Sequence, residues 1–548
     1  MQGLMQEFPL TTQHILWRVE KLFGSKQVVT KTEQGVHRYT YADMAARVNR
    51  LANALQRLGV REGDRVATLS FNNYRHLELY YAVPTMGAVL HTLNPRLPLD
   101  QLAFIVNDAE DKVIAVAPAM LPLLQHLKGK LPSVEHVIVL ADAPVDSDGQ
   151  GQLLDYETLL QAESPSFTWP RLDERTAAGM CYTSGTTGNP KGVVYTHRSQ
   201  FLHSMGATQA ASLGIREDDV VLPVVPMFHA NAWGFPYSAG MAGAAQVFPD
   251  RWMLDGQVLI DLATSEGATI LAGVPTIWMA LMQTLQQTGT RLPKVRSVLC
   301  GGSAVPRSLM EGMDKLGLKI VHAWGMTETS PLGSIALERS WQPQEGEESL
   351  RIRLSQGPPA AGVELRIADL ETGEELPWDG VAFGEIQVRG PWIASGYYHD
   401  EKSDKITSDG WFRTGDVASV TPDGFINIVD RTKDVIKSGG EWISSVDLEN
   451  AIMGHPKVKE AAVIGLPHDK WQERPVAYVV CSEPDGVSPG DLRHFLLERG
   501  TAKWWLPDEI RFIDEVPKTS VGKFDKKVLR ANAEPLKEAA TPEKATTG

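Results

Sequence analysis

Short apolar runs recur along this chain at intervals long enough for a helix, and that alternation limits the architectures open to it. Residues 65–69, 113–117, 137–141, 220–225 and 295–299 each read as a buried strand. Before the first of these runs, Thr40 with Asp43 forms a capping-box pattern, and Val48, Leu51, Leu55 and Leu58 keep helical spacing until Gly59 ends it. Strands separated by helices predict an α/β fold with mainly parallel sheets, whose ligands collect at the carboxyl ends of the strands. At 548 residues the chain exceeds one hydrophobic core, since cores stop growing at about 250–300 residues.

The texture changes at Asp430, where a charged stretch precedes Ser438-Gly-Gly440 and shorter elements follow. The expected organisation is a large N-terminal domain of α/β subdomains (1–429), a hinge (430–435), a smaller mobile α+β C-terminal domain (436–530) and a flexible tail (531–548). Lys and Arg total 53 against 67 Asp and Glu, a formal charge of −14, which argues against nucleic-acid binding. Cys181, Cys300 and Cys481 lie far apart without CxxC spacing, so neither a zinc site nor a disulfide framework is expected. Residues 1–22 lack the uninterrupted apolar core of a signal peptide, and no run is long enough to span a bilayer. A cytoplasmic location, with at most peripheral membrane contact, is the expectation.

The strongest chemical signal is Tyr182-Thr-Ser-Gly-Thr-Thr-Gly-Asn-Pro-Lys-Gly192. Gly185 and Gly188 let backbone N–H groups converge on an anion, Thr183, Ser184, Thr186 and Thr187 add hydroxyls, and Lys191 adds charge. It is a phosphate cradle but not a Walker A loop, because Gly192 rather than Ser or Thr follows the lysine. Four further motifs follow in order: Trp324-Gly-Met-Thr-Glu328, Gly410-Trp-Phe-Arg-Thr-Gly-Asp416, Asp430-Arg-Thr-Lys-Asp434 and Pro517-Lys-Thr-Ser-Val-Gly-Lys523.

Together these motifs resemble the adenylate-forming superfamily of acyl-CoA synthetases, luciferases and peptide-synthetase adenylation domains, over nearly the whole chain. Val225-Pro-Met-Phe-His-Ala-Asn-Ala-Trp233 and Lys437-Ser-Gly-Gly-Glu-Trp-Ile-Ser444 look most like the fatty acyl-CoA synthetase branch. The resemblance implies that ATP and a medium- to long-chain acid give acyl-AMP, and that CoA then takes the acyl group with release of AMP; Mg²⁺ assists. Short acids such as methylthiopropionate are the alternative substrates. A homodimer is implied by resemblance alone.

By the same resemblance Thr183 and Glu328 contact Mg²⁺, and Gly301, Gly302, Ser303, His322, Ala323, Trp324, Gly325, Met326 and Thr327 surround the nucleotide, with Trp324 replacing the usual Tyr as an adenine shelf. Asp416 and Arg431 hold the ribose. Lys433 is the hinge and Lys523 the adenylation lysine; Lys437 and Trp442 contact phosphate or CoA. His229 lies where carboxylate, phosphate and thiol meet, and Trp233 with Gly234 and Gly302 borders the acyl group. Gly234, Gly240, Gly243 and Ala244 either leave room for an alkyl chain or serve close helix packing. Lys518, Lys526 and Lys527 read as solvated neighbours of Lys523.

Two other classes were weighed. Ser520-Val-Gly-Lys523 with Lys437-Ser438-Gly439 imitates a serine acyltransferase or amidase pattern, but in the wrong order and without a helix opening at the serine. A non-catalytic nucleotide or acyl-ligand sensor would have little need of Lys191, Glu328, Asp416, Arg431 and Lys523 together.

Overall fold

A computed structural model of the protein describes residues 1, 3–141, 153–183, 189–400, 403–439, 441–483, 486–518 and 524–536. Ser184, Gly185, Thr186, Thr187, Gly188, Ser520, Lys523 and most of the expected tail lie outside the described residues.

All five strand-like runs are strands, with bounds shifted by up to two residues, and they divide between two sheets. The first has eight strands. Ile320–Gly325, Ser297–Cys300, Ile270–Gly273, Val220–Pro223, Ala245–Phe248 and Gln27–Thr32 run parallel, and an antiparallel strand closes each edge. The second has seven, parallel from Leu153–Asp155 to Ala177–Thr183 and ending in the antiparallel hairpin partner Lys191–Thr196. Helices cover the sheets, Tyr41–Arg57 among them, with Thr40 and Asp43 making the reciprocal capping bonds expected of them.

A four-stranded antiparallel sheet follows, ending at Ile426–Arg431. After residues 432–435 the chain enters a five-stranded sheet built on Val458–His468 and Gln472–Cys481, with a core of its own around Ile436, Leu448, Val463 and Leu492. Asp430 stays at the junction, accepting from the backbone N–H of Ser445 at 2.8 Å.

Asn72 joins the two large sheets. It follows strand Arg65–Leu69 of one sheet, and its side chain reaches the loop that leaves strand Val220–Pro223 of the other. Its Nδ2 donates to the carbonyls of Pro223 (2.9 Å) and Val225 (2.7 Å), and its Oδ1 accepts from Met227 N–H (2.7 Å). The amide is fully buried, so no water replaces these bonds if it is lost. Tyr80 Oη also donates to the Met227 carbonyl, at 2.5 Å. Phe228 and His229 come next in the chain. Asn72→Ala should destabilise the protein by about 2–4 kcal/mol in denaturant unfolding, since it strands one donor and two acceptors in the core; its activity should fall more steeply than its folded fraction.

Candidate active site

The phosphate motif crosses a hairpin tip, where Thr183 and Lys191 are register partners. Lys191 Nζ is 2.7 Å from Asp400 Oδ2 and 5.0 Å from the centre of the Tyr397 ring. The same tyrosine donates from Oη to Glu328 Oε1 at 2.6 Å. One aromatic residue therefore touches both the lysine of the phosphate motif and the carboxylate expected to hold Mg²⁺. Glu328 is 5% exposed, and burial raises its carboxyl above the usual range, against the opposing pull of the Tyr397 bond, Lys405 and Arg431. Tyr195 Oη donates to the Thr327 carbonyl at 2.9 Å and fixes the turn Thr327–Thr329 to the hairpin.

Among the described residues no three His, Cys, Asp or Glu side chains converge as a metal cage.

On the nucleoside side, Gly301 closes strand Ser297–Cys300, and a Cβ there would lie 2.8 Å from the Ala323 carbonyl oxygen. Gly302 has φ +85°, a backbone that L side chains rarely adopt. Gly325 is needed for space, since a Cβ would lie 1.6 Å from the Pro331 carbonyl oxygen. His322 is buried; burial lowers its pKa, while its Nδ1 lies 3.0 Å from the Leu354 carbonyl. Met326 N–H donates to Thr329 Oγ1 at 3.0 Å, and its side chain packs with the Trp324 cluster.

Trp324 is 8% exposed, and its six-membered ring lies so close to Gly333 that a Cβ there would come within 2.5 Å. The indole Nε1–H donates to Asp416 Oδ2 at 2.8 Å. Arg431 Nε lies 3.4 Å from Asp416 Oδ1, and strand register sets Asp416 opposite Arg431. The two residues expected at the ribose are thus adjacent.

The acyl side begins at His229, which precedes a turn of unusual backbone. Ala230, Asn231, Ala232 and Trp233 have φ of 44°, 53°, 49° and 56°. Each left-handed non-glycine residue costs roughly 1–2 kcal/mol. Contacts to Asn231 hold the turn: Cys181 Sγ–H donates to its Oδ1 at 3.2 Å and Tyr80 Oη at 3.4 Å. Trp233 is thereby set over Gly301, where a Cβ would lie 3.3 Å from the indole Cη2.

Leu299, Val321, Ala323 and Ile335 share this face of the sheet with Trp233. Leu299 pairs with Val321, and Ala323 with Ile335. One strand repeat behind Gly301 and Ala323, a cavity of about 300 Å³ opens against Leu213, Leu299, Val321, Ile335 and Leu337, with Arg216 at its polar side. The small residues do not line it. Cβ atoms at Gly234, Gly240 and Gly243 would strike His203, Tyr81 and Phe23, so these glycines serve close packing.

In the C-terminal part, Lys433 is exposed, yet partial desolvation of its ammonium, aided by Arg431 and Arg530, lowers its pKa despite Asp434. Lys437 Nζ reaches Glu371 of the N-terminal part at 2.7 Å and lies 5.0 Å from the centre of the Trp442 ring. The expectation of a solvated Lys526 fails. Its ammonium is buried 2.7 Å from Glu449 Oε1; desolvation opposes the charge, but Glu449 and Asp430 outweigh it and raise its pKa. Lys518 is paired with Glu460 at 2.6 Å.

Asn72 and Tyr397 were missed by sequence reasoning. Tyr397 belongs to a plain Gly-Tyr-Tyr stretch between motifs, and Asn72 to a short polar turn; no spacing marks either.

Residues 17–398 match the AMP-binding enzyme family and residues 447–523 the AMP-binding enzyme C-terminal domain. The chain is 49% identical over 530 residues to the long-chain-fatty-acid–CoA ligase of Thermus thermophilus, covering 96% of each chain. It is 42% identical to the 3-methylmercaptopropionyl-CoA ligase of Ruegeria lacuscaerulensis, over 97% of this chain and 98% of that one. In three dimensions it is similar to the anthranilate CoA ligase AuaEII in complex with anthranoyl-AMP, with a TM-score of 0.84, 25% identity, and coverage of 97% of this chain and 99% of that one. Matched by the family model over residues 17–398 and 49% identical to a relative over nearly its whole length, this chain belongs to the AMP-binding enzyme family.

Proposed function

We propose that this protein is an AMP-forming fatty acid–CoA ligase: it activates a medium- to long-chain carboxylic acid with ATP to acyl-AMP, then transfers the acyl group to CoA, releasing AMP and pyrophosphate. The observation that supports the substrate class is the cavity one strand repeat behind Gly301 and Ala323, lined by Leu213, Leu299, Val321, Ile335 and Leu337 as well as by Arg216 and Arg296. A carboxylate needs a leaving group before a thiol can attack it, and the α-phosphate provides one. Charge then builds on phosphoryl oxygens, and fixed donors and cations stabilise it.

Each group has a role in that reaction. Thr183, the hydroxyls and N–H groups of residues 184–188, and Lys191 cradle the phosphates. Glu328, oriented by Tyr397, is a ligand for Mg²⁺ with Thr183 beside it; when bound, the ion neutralises phosphate charge. Residues 301–303 and 322–327 border the base, and Asp416 with Arg431 holds the ribose hydroxyls. His229 orients the acid carboxylate or the incoming thiol. Lys523 stabilises adenylation, and rotation at Lys433 exchanges it for the thioester-forming pose, in which Lys437 and Trp442 meet CoA. Trp233 borders the acyl group, and its movement opens the cavity to a longer chain. Exposed Leu4, Met5, Phe8 and Trp17 support a homodimer through the N-terminal domain. No helix among the described residues is long and apolar enough to cross a membrane.

The similarity to the methylmercaptopropionyl-CoA ligase favours a second reading, with short acids as substrates. Mass spectrometry of thioesters formed from ATP, Mg²⁺, CoA and a panel of straight-chain and thioether acids separates the two. Activity should peak at medium or long chains. Lys523→Ala should lose about 100-fold or more of acyl-AMP formation, as removal of one transition-state donor does, while still converting supplied acyl-AMP to thioester. No thioester from any acid would overturn the proposal.

Val321→Phe, which fills the cavity, should lower kcat/KM for the longest accepted acid by about 10-fold or more, at roughly 0.8 kcal/mol per displaced methylene; the shortest acid should change little. Glu328 acts as a carboxylate, and its pKa is raised. Protonation on lowering pH therefore removes the ligand sooner than for an exposed glutamate. The acid limb of kcat/KM for ATP should carry this group and vanish in Glu328→Gln, whose remaining activity should be at least about 100-fold lower.

A further inference from the structure

The bond between Trp324 and Asp416 gives residue 324 a task beyond packing. Asp416 has two acceptor oxygens, and its side chain is 12% exposed, so few outside groups can hold it. Its Oδ2 is occupied by the Trp324 indole N–H at 2.8 Å, and its Oδ1 stands 3.4 Å from Arg431 Nε. The indole donor is itself fixed. Trp324 lies in a cluster with Leu332, Trp392 and Phe412, and Gly333 sits directly against its six-membered ring. From below, Thr414 Oγ1 accepts the Asp416 backbone N–H at 3.1 Å and donates to the Ile386 carbonyl at 2.7 Å. The carboxylate is thus clamped on one oxygen and left with free lone pairs on the other, which faces the guanidinium.

We infer that Trp324 is a positioning residue that turns the Asp416 carboxylate toward the ribose diol, so that preference for ribonucleotides over deoxyribonucleotides depends on an indole N–H. This rests on Asp416 being the ribose carboxylate. A vicinal diol donates two hydrogen bonds, and a carboxylate receives both well only when its plane is set. Phenylalanine at 324 would keep an aromatic ring in the cluster and remove only the donor. The carboxylate would then be free to rotate, and Arg431 could draw it off the diol.

The test measures acyl-AMP formation with ATP, 2′-deoxy-ATP and 3′-deoxy-ATP in the full-length wild type, Trp324→Phe, Asp416→Asn and the double variant. Trp324→Phe should raise KM for ATP about 10-fold, the scale of one bond to a charged group, and leave kcat within about twofold. KM for the deoxynucleotides should hardly move, so the preference for ATP shrinks. In the Asp416→Asn background the same substitution should have no further effect.

An equal rise in KM for all three nucleotides, or no rise, would overturn the inference and leave Trp324 as packing. If Asp416→Asn itself leaves KM for ATP unchanged, the ribose reading fails first. Should Trp324→Phe melt below the assay temperature, protein labelled with ¹⁵N-tryptophan supplies the answer. One indole N–H resonance should be strongly protected from exchange and move further with AMP than with 2′,3′-dideoxy-AMP; an indole signal that responds equally to both overturns the proposal.

Discussion

A buried amide, Asn72, ties the two parallel sheets together, with Tyr80 on the Met227 carbonyl and the Tyr74 N–H on Thr30 Oγ1 beside it. It binds three backbone groups of the segment that leaves the eight-stranded sheet, while its own backbone follows the seven-stranded one. Everything at the acyl end depends on that alignment. The loop it secures leads into His229 and then into the left-handed turn 230–233, whose Asn231 is held from both sides by Cys181 and Tyr80. Strain in this turn persists only because such contacts over-determine it. The consequence is a tryptophan set against Gly301 at a strand end, with a cavity of mixed apolar and polar lining one strand repeat behind.

Three buried carboxylates organise the polar half, and each is held by a different kind of donor. Glu328 takes a phenol, Asp416 an indole N–H and a guanidinium, and Asp430 a serine. None is neutralised by an ammonium in direct contact. The phenol on Glu328 and the indole on Asp416 orient each group and leave its other oxygen able to accept from a ligand, with Arg431 3.4 Å from that second oxygen of Asp416. Lys526 shows the contrast. It is buried against Glu449 beside Asp430, a compensated cluster with a structural part at the domain junction.

The C-terminal part meets the rest through few polar contacts, among them Lys437 on Glu371 and Ser444 on the Val429 carbonyl. The Lys437–Glu371 pair is largely exposed and contributes little stability, whereas Ser444 is buried at the junction. Lys433, exposed beside Arg431, Arg530 and Asp434, lies in the segment 432–435 that joins the two parts.

The sequence by itself determined the class of fold, because strand runs, cap residues and helix spacing are local and repeat with fixed periods. It also marked most of the candidate site residues, since glycines, hydroxyls and charged groups there occur in short ordered motifs. Tertiary structure decided the rest. Whether Gly234, Gly240 and Gly243 open a pocket or admit His203, Tyr81 and Phe23 depends on neighbours up to more than two hundred residues away. Lys526 looks identical to its solvated neighbours in sequence and differs only because Glu449 is folded against it. Asn72, Tyr397 and the indole bond of Trp324 left no local trace, for each acts through long-range hydrogen bonds whose partners no periodicity reveals.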